Sequence, residues 1–149
     1  MSLTSWGQHG VTGAYRHDGV QRSDTVLVVE DEESLSRLWT MCLNLSGYAT
    51  AAVSNGEEAL ALFHYAEPDA VVLDLMKPGI SGLDLLLYLR RDLAYHGGVV
   101  VVTARDEQVP GEYRLAVAYE VLHKGDNTFS NQTLLEALER QLKKPPAGV

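Results

Sequence analysis

The chain has 149 residues, 46% of them hydrophobic, and its 20 acidic and 12 basic side chains leave a net charge of −8. That length suits one domain with a tail, and the apolar share is enough for a buried core, which excludes wholesale disorder. No stretch approaches the roughly 18 apolar residues of a membrane-crossing helix, and the N-terminal region lacks a secretory apolar segment. The acidic balance argues against a large footprint on nucleic-acid phosphates, which calls for clustered Lys and Arg. Cys42 is the single cysteine, so no internal disulfide can form, and a reducing, cytoplasmic setting is expected.

Residues 1–24 place Gly7, Gly10, Gly13 and Gly19 among Ser, Thr, Gln and His without a sustained period of two or 3.6. They read as a tail, flexible or ordered by a partner, with Trp6 and Tyr15 as candidate anchors. From Thr25 the pattern changes. Five short apolar or β-branched runs follow: Thr25–Val29, Tyr48–Val53, Ala70–Leu75, Val99–Thr103 and Glu120–His123. Three are continuously apolar, as expected of strands covered on both faces of a parallel sheet.

Helical patterns separate these runs. Ser34–Leu45 puts Leu35, Leu38, Cys42 and Leu45 at three-to-four spacing and stops at Gly47. Gly56–Tyr65 carries Ala59, Leu60, Leu62 and Phe63. In the leucine-rich Leu83–Tyr95, Leu83, Leu86 and Leu87 are expected in the core, and Leu85 and Leu89 on another face, against the tail or a partner. Glu107–Val117 is the weakest helix, because Pro110-Gly111 interrupts its start. The last helix presents Leu134, Leu135, Leu138 and Leu142, with Lys143-Lys144 at its negative end and Pro145-Pro146 to stop it. We therefore divide the chain into a tail (1–24), a domain (25–144) and a short C-terminal tail or linker start (145–149).

Alternating strands and helices with right-handed crossovers give an α/β fold, a doubly wound five-stranded parallel sheet. The flavodoxin-like strand order 2-1-3-4-5 fits five strands, and its ligand site lies beyond the strand C-termini. Glu30-Asp31-Glu32-Glu33 follow the first run, Asp74 sits at the end of the third, Thr103 ends the fourth, and Lys124 follows the fifth. Acids, a hydroxyl and an ammonium would thus meet on one rim. Like charges at close range are unfavourable unless a cation intervenes. Mg²⁺ suits such a site, because it prefers hard oxygen ligands and keeps positions for phosphate oxygens. A carboxylate beside it can accept a phosphoryl group, with Lys124 and Thr103 available to the phosphoryl oxygens. Glu32 and Glu33 are expected instead to favour the start of the following helix.

These residues resemble the receiver domains of bacterial response regulators, the CheY-like group. The resemblance covers about Thr25 to Lys143 and rests on four pieces in register. These are Val26-Leu27-Val28-Val29-Glu30-Asp31-Glu32, Val71-Val72-Leu73-Asp74-Leu75-Met76-Lys77-Pro78-Gly79-Ile80-Ser81-Gly82, Val99-Val100-Val101-Val102-Thr103-Ala104 and Leu122-His123-Lys124. The resemblance implies Asp74 as phosphoacceptor, Asp31 as a direct Mg²⁺ ligand, Glu30 as the second acid and the Met76 backbone carbonyl as a further ligand. It implies Thr103 as the switch hydroxyl and Lys124 as the phosphate-pairing lysine. It further implies a histidine kinase or histidine phosphotransfer protein as donor, and a downstream effector protein or output domain as recipient. Such a domain catalyses only its own phosphorylation and dephosphorylation and is not otherwise an enzyme. Neither direct nucleic-acid contact nor a membrane is expected, and homodimerisation is left open.

The output half departs from the family pattern. Gly125 follows Lys124 where the family usually has a cis-proline, and Gly125-Asp126-Asn127-Thr128 lengthens the loop into the last helix. Val121 stands where an aromatic residue usually follows the threonine inward, and its short, stiff side chain cannot do this. Tyr119 is the candidate substitute. These departures leave a second reading, a pseudo-receiver that serves as a phosphorylation-independent interaction module. An independent phosphatase or dinucleotide-binding enzyme on a similar sheet is disfavoured, since neither a GxGxxG loop after the first strand nor a GxxxxGK[ST] motif is present.

Overall fold

The computed structural model describes residues 24–74, 82–103, 120–123 and 130–143. Within them, β1 (Thr25–Val29), β2 (Ala49–Val53), β3 (Ala70–Asp74), β4 (Gly98–Thr103) and β5 (Glu120–His123) form one parallel sheet ordered β2-β1-β3-β4-β5. This is the expected order, with β1 and β3 adjacent at the switch point. Four helices are described: α1 (Glu33–Leu45), α2 (Gly56–Phe63), α3 (Gly82–Leu87) and α4 (Asn131–Lys143). No described helix is long and apolar enough to cross a membrane. The sequence-predicted helix over Glu107–Val117 lies outside the described residues, as do both tails.

Strand alternation divides the core into two layers. Leu27, Val29, Val71, Leu73, Val99 and Val101 face α2 and α3. Val26, Val28, Val72, Val100 and Val102 face Trp39 and Leu43 of α1 and Leu134, Ala137 and Leu138 of α4. Sandwiching the sheet between helices explains why its strands are apolar throughout.

Local chemistry fixes the helix ends. Gly47, at φ 97°, ends α1 in a Schellman motif: its N–H donates to the Asn44 carbonyl, and that of Tyr48 to the Leu43 carbonyl. Asn55 caps α2 by accepting from the Glu58 N–H at 2.8 Å, and the Glu58 carboxylate accepts from the Ser54 N–H. Ser130 and Thr133 exchange side-chain-to-backbone bonds at the start of α4.

Three expectations need correction. The face of α1 that meets the sheet carries Trp39 and Leu43, with Leu35 partly buried; Leu38 and Leu45 are exposed and Cys42 is half-buried. The i, i+4, i+8 row wins because Trp39 offers the largest apolar surface on the helix. Leu85 and Leu89 are fully buried with Leu86 in the α2–α3 layer, not on a separate face. Finally, the leucine-rich helix does not run regularly to Tyr95. It loosens into a π-helical turn over Tyr88–Asp92, which keeps Leu89 turned inward, and the chain then reverses at Ala94 with φ 51°.

Candidate metal and phosphoryl site

The carboxyl ends of β1 and β3 bring their acids together. Each of Glu30, Asp31 and Asp74 offers a carboxylate oxygen, and these oxygens lie within 4.8 Å of one another. Glu30 and Asp74 are buried, at 2% and 1% exposure, whereas Asp31 opens to solvent. β1 fixes Glu30: its N–H continues the strand pairing to the Val53 carbonyl at 3.1 Å, and its carboxylate accepts from the Glu32 N–H at 3.2 Å. Sequence reading had no signal for that last bond, because the donor is backbone.

Two ionised carboxylates at such a separation repel by about 3 kcal/mol at an effective dielectric of about 20. Packing Glu30 and Asp74 in the apolar end of a sheet therefore favours a cation. The donor set, three hard anionic oxygens with one acid open to water, matches what Mg²⁺ takes while retaining water and phosphate ligands.

Thr103 lies on the neighbouring strand, one residue past the Asp74–Val102 pair of the β3–β4 register. It is fully buried, and its hydroxyl has no hydrogen-bond partner among the described residues. Unsatisfied buried hydroxyls are uncommon and mark places where a ligand or conformational change supplies the partner. Lys124 and Met76 lie outside the described residues, as do Tyr119 and Gly125; of Val121 only the β5 backbone is described.

Glu32 and Glu33 stand apart from the cluster. Glu32 is the residue before α1 and makes no side-chain cap, while Glu33 sits in the first turn and pairs with Arg37 one turn on. That fits the dipole role expected for them.

Comparison with known proteins agrees with this arrangement. The family model for the response regulator receiver domain matches residues 26–139. Over 85 residues the chain is 44% identical to the sensory transduction protein RegX3 of Mycobacterium tuberculosis, covering 57% of this chain and 37% of that protein. Over 84 residues it is 38% identical to the DNA-binding response regulator MtrA of Mycolicibacterium smegmatis, covering 56% and 36% of the two. The matched region thus spans little more than a third of these relatives' length. Among solved structures, the receiver domain of Francisella response regulator 1452 superposes with a TM-score of 0.71 at 25% identity, covering 81% of this chain and 98% of that one. Chemotaxis protein CheY4 of Vibrio cholerae gives 0.69 at 26% identity, with 80% and 99% covered. The chain therefore belongs to the response regulator receiver domain family, the CheY-like signalling domains of two-component systems.

Proposed function

We propose that the unit spanning residues 25–144 accepts a phosphoryl group on Asp74 and thereby switches a protein-interaction surface. The observation that carries this reading is the meeting of Glu30, Asp31 and Asp74 within 4.8 Å, with a buried Thr103 hydroxyl at the next strand end that has no partner among the described residues.

In this reading Glu30, Asp31 and Asp74, with the Met76 carbonyl, would hold Mg²⁺, which when bound would supply charge neutralisation for the carboxylates and the incoming phosphoryl oxygens. An oxygen of Asp74 attacks the phosphorus of a phosphohistidine on the donor, a histidine kinase or phosphotransfer protein. The O–P bond forms as the P–N bond breaks, and the imidazole leaves with the bonding pair and regains a proton. Lys124 pairs with one phosphoryl oxygen. Thr103 donates its hydroxyl hydrogen to another, which links the state of Asp74 to β4. Attack of water on the acyl phosphate resets the domain.

The partner downstream is an effector protein or an output domain. MtrA, a DNA-binding response regulator by name, matches this chain over 36% of its length.

Borohydride reduction of the phosphorylated protein followed by peptide mapping tests the assignment of Asp74. Acyl phosphates are reduced to the alcohol, so the expected result is conversion of Asp74 alone to homoserine. Conversion of another acid, or of none, would overturn it.

A further inference from the structure

The three acids of the rim are held differently. Asp31 opens to solvent, whereas Glu30 and Asp74 are buried. Asp74 closes β3, in register with Val102 of β4. Glu30 lies one residue beyond β1 and is tied at two points. Its N–H donates to the Val53 carbonyl at 3.1 Å, and its Oε2 accepts from the Glu32 N–H at 3.2 Å. Backbone and carboxylate are thus fixed together.

The start of α1 places the donor of that second bond. The Glu32 carbonyl accepts from the Ser36 N–H at 3.0 Å, which joins Glu32 to the helix from its carbonyl side. Its φ of −81° and ψ of 112° are extended values, so its own N–H stays outside the helical ladder and meets Glu30 instead. The Glu32 carboxylate accepts from the Ser34 hydroxyl at 3.0 Å in an exposed bond. The backbone of Glu32, rather than its side chain, therefore reaches the acid cluster.

This bond bears on which cation fits. Mg²⁺ demands near-octahedral ligands at about 2.0–2.1 Å, whereas Ca²⁺ takes roughly six to eight looser ligands and accepts both oxygens of one carboxylate. To offer both oxygens to one cation, Glu30 has to withdraw Oε2 from the Glu32 N–H or share it. A bonded Oε2 favours binding through a single oxygen, and a fixed carboxylate adapts poorly to the larger ion.

We propose, on the reading of the rim as a cation site, that the Glu32 backbone N–H is its positioning group. By holding Oε2 it presents Glu30 to the cation through one oxygen and sets the preference of the site for Mg²⁺ over Ca²⁺.

Removing the N–H from an otherwise intact chain tests this. Cys42 is the single cysteine, so a thioester of residues 1–41 can be ligated to residues 42–149, with an ester replacing the Asp31–Glu32 amide. Glu32→Pro removes the same donor in recombinant protein, and a φ of −81° is close to what proline takes. Dissociation constants for Mg²⁺ and for Ca²⁺ are read by calorimetry at one pH and ionic strength. The ester is compared with wild type assembled by the same ligation, and Glu32→Pro with Glu32→Ala, which also lacks the carboxylate but keeps the N–H. Against its reference, each should bind Mg²⁺ about tenfold more weakly and Ca²⁺ less than about threefold more weakly. If Glu32→Pro does not fold, the ester alone decides. Unchanged constants, or equal losses for both ions as general loosening would give, would overturn the role of the N–H while leaving the cation site standing. Wild-type protein that binds neither ion would overturn the cation reading and this role with it.

Discussion

The two ends of the sheet are built on opposite terms. At the carboxyl end, β1 and β3 crowd three carboxylates within 4.8 Å, and the buried Thr103 hydroxyl has no partner among the described residues. At the amino end, the buried Thr25, Tyr95 and Gln141 each hold a hydrogen bond that ties the sheet to a neighbouring element. Asp69 accepts from the Thr25 N–H at 2.7 Å and returns its own N–H to the Thr25 carbonyl at 2.9 Å. The Tyr95 hydroxyl donates to the Pro68 carbonyl at 2.7 Å, and one nitrogen of Arg90 donates to the carbonyls of Tyr95 and Gly97. Gln141 on α4 accepts from the Val99 N–H. The floor ties the fold together, and the rim gathers like charges in an arrangement that could hold a cation. Such separation is expected where function needs groups whose arrangement costs stability.

The sharpest test of this contrast is Asp74→Asn. It should abolish phosphoryl acceptance entirely, yet raise the stability of the metal-free protein by about 1 kcal/mol in urea titration, because one like charge is removed. A destabilised Asp74→Asn would place the residue with the floor rather than the rim.

The floor should respond in the opposite way. A Cβ on Gly97 would fall 2.0 Å from the Tyr95 hydroxyl oxygen, so Gly97→Ala should destabilise by about 3 kcal/mol as the buried ring is displaced. Arg90→Met removes the bonds to two carbonyls and the cation held 5.6 Å from the Tyr95 ring centroid. A loss of about 2 kcal/mol is expected, measured by denaturant unfolding, with phosphoryl acceptance retained.

Alkaline titration separates the two ends by another route. Burial pushes the Tyr95 phenol well above its ordinary value, a shift partly opposed by the Arg90 charge. The unfolded chain releases that proton first, so the contribution is complete below about pH 10 and falls as pH rises above it. Wild type should therefore lose stability above about pH 10, and Tyr95→Phe should show a flatter decline, from a lower starting point because the bond to Pro68 is gone. Parallel curves for the two proteins would mean that the phenol is not confined as described.

The smallest effect is expected on the exposed side of α1. Arg37→Ala should change stability by less than about 0.5 kcal/mol, because its pair with Glu33 faces solvent, whereas Leu43→Ala, fully buried on the same helix, should cost about 3 kcal/mol.

Much of the rim was legible in the sequence, because each of its groups sits at the end of a short apolar run and parallel strands line those ends up. Glu30, Asp31, Asp74 and Thr103 needed only strand order to be brought near one another. The floor was not legible. Asp69 and Thr25 are 44 residues apart, and Gln141 and Val99 are 42 apart; no local spacing announces either pair. The π-helical turn also escaped, since the contacts around it reach beyond Tyr88–Asp92: Arg90 donates forward to the Tyr95 and Gly97 carbonyls, and Tyr95 stacks edge-on against Phe63 at 5.1 Å. On α1, the row of Leu35, Leu38, Cys42 and Leu45 is as regular as the row that is buried. Only the size of Trp39 decides between them, and periodicity alone does not weigh size.

The central claim, that the rim accepts a phosphoryl group with the help of a divalent cation, is tested most directly by intact mass. The protein and Asp74→Asn are each incubated with a small phosphodonor, with and without Mg²⁺. A single phosphoryl adduct that requires Mg²⁺ and is lost in Asp74→Asn is the expected result. A folded wild-type protein that binds Mg²⁺ but forms no adduct would contradict it, and would make the domain a phosphorylation-independent interaction module.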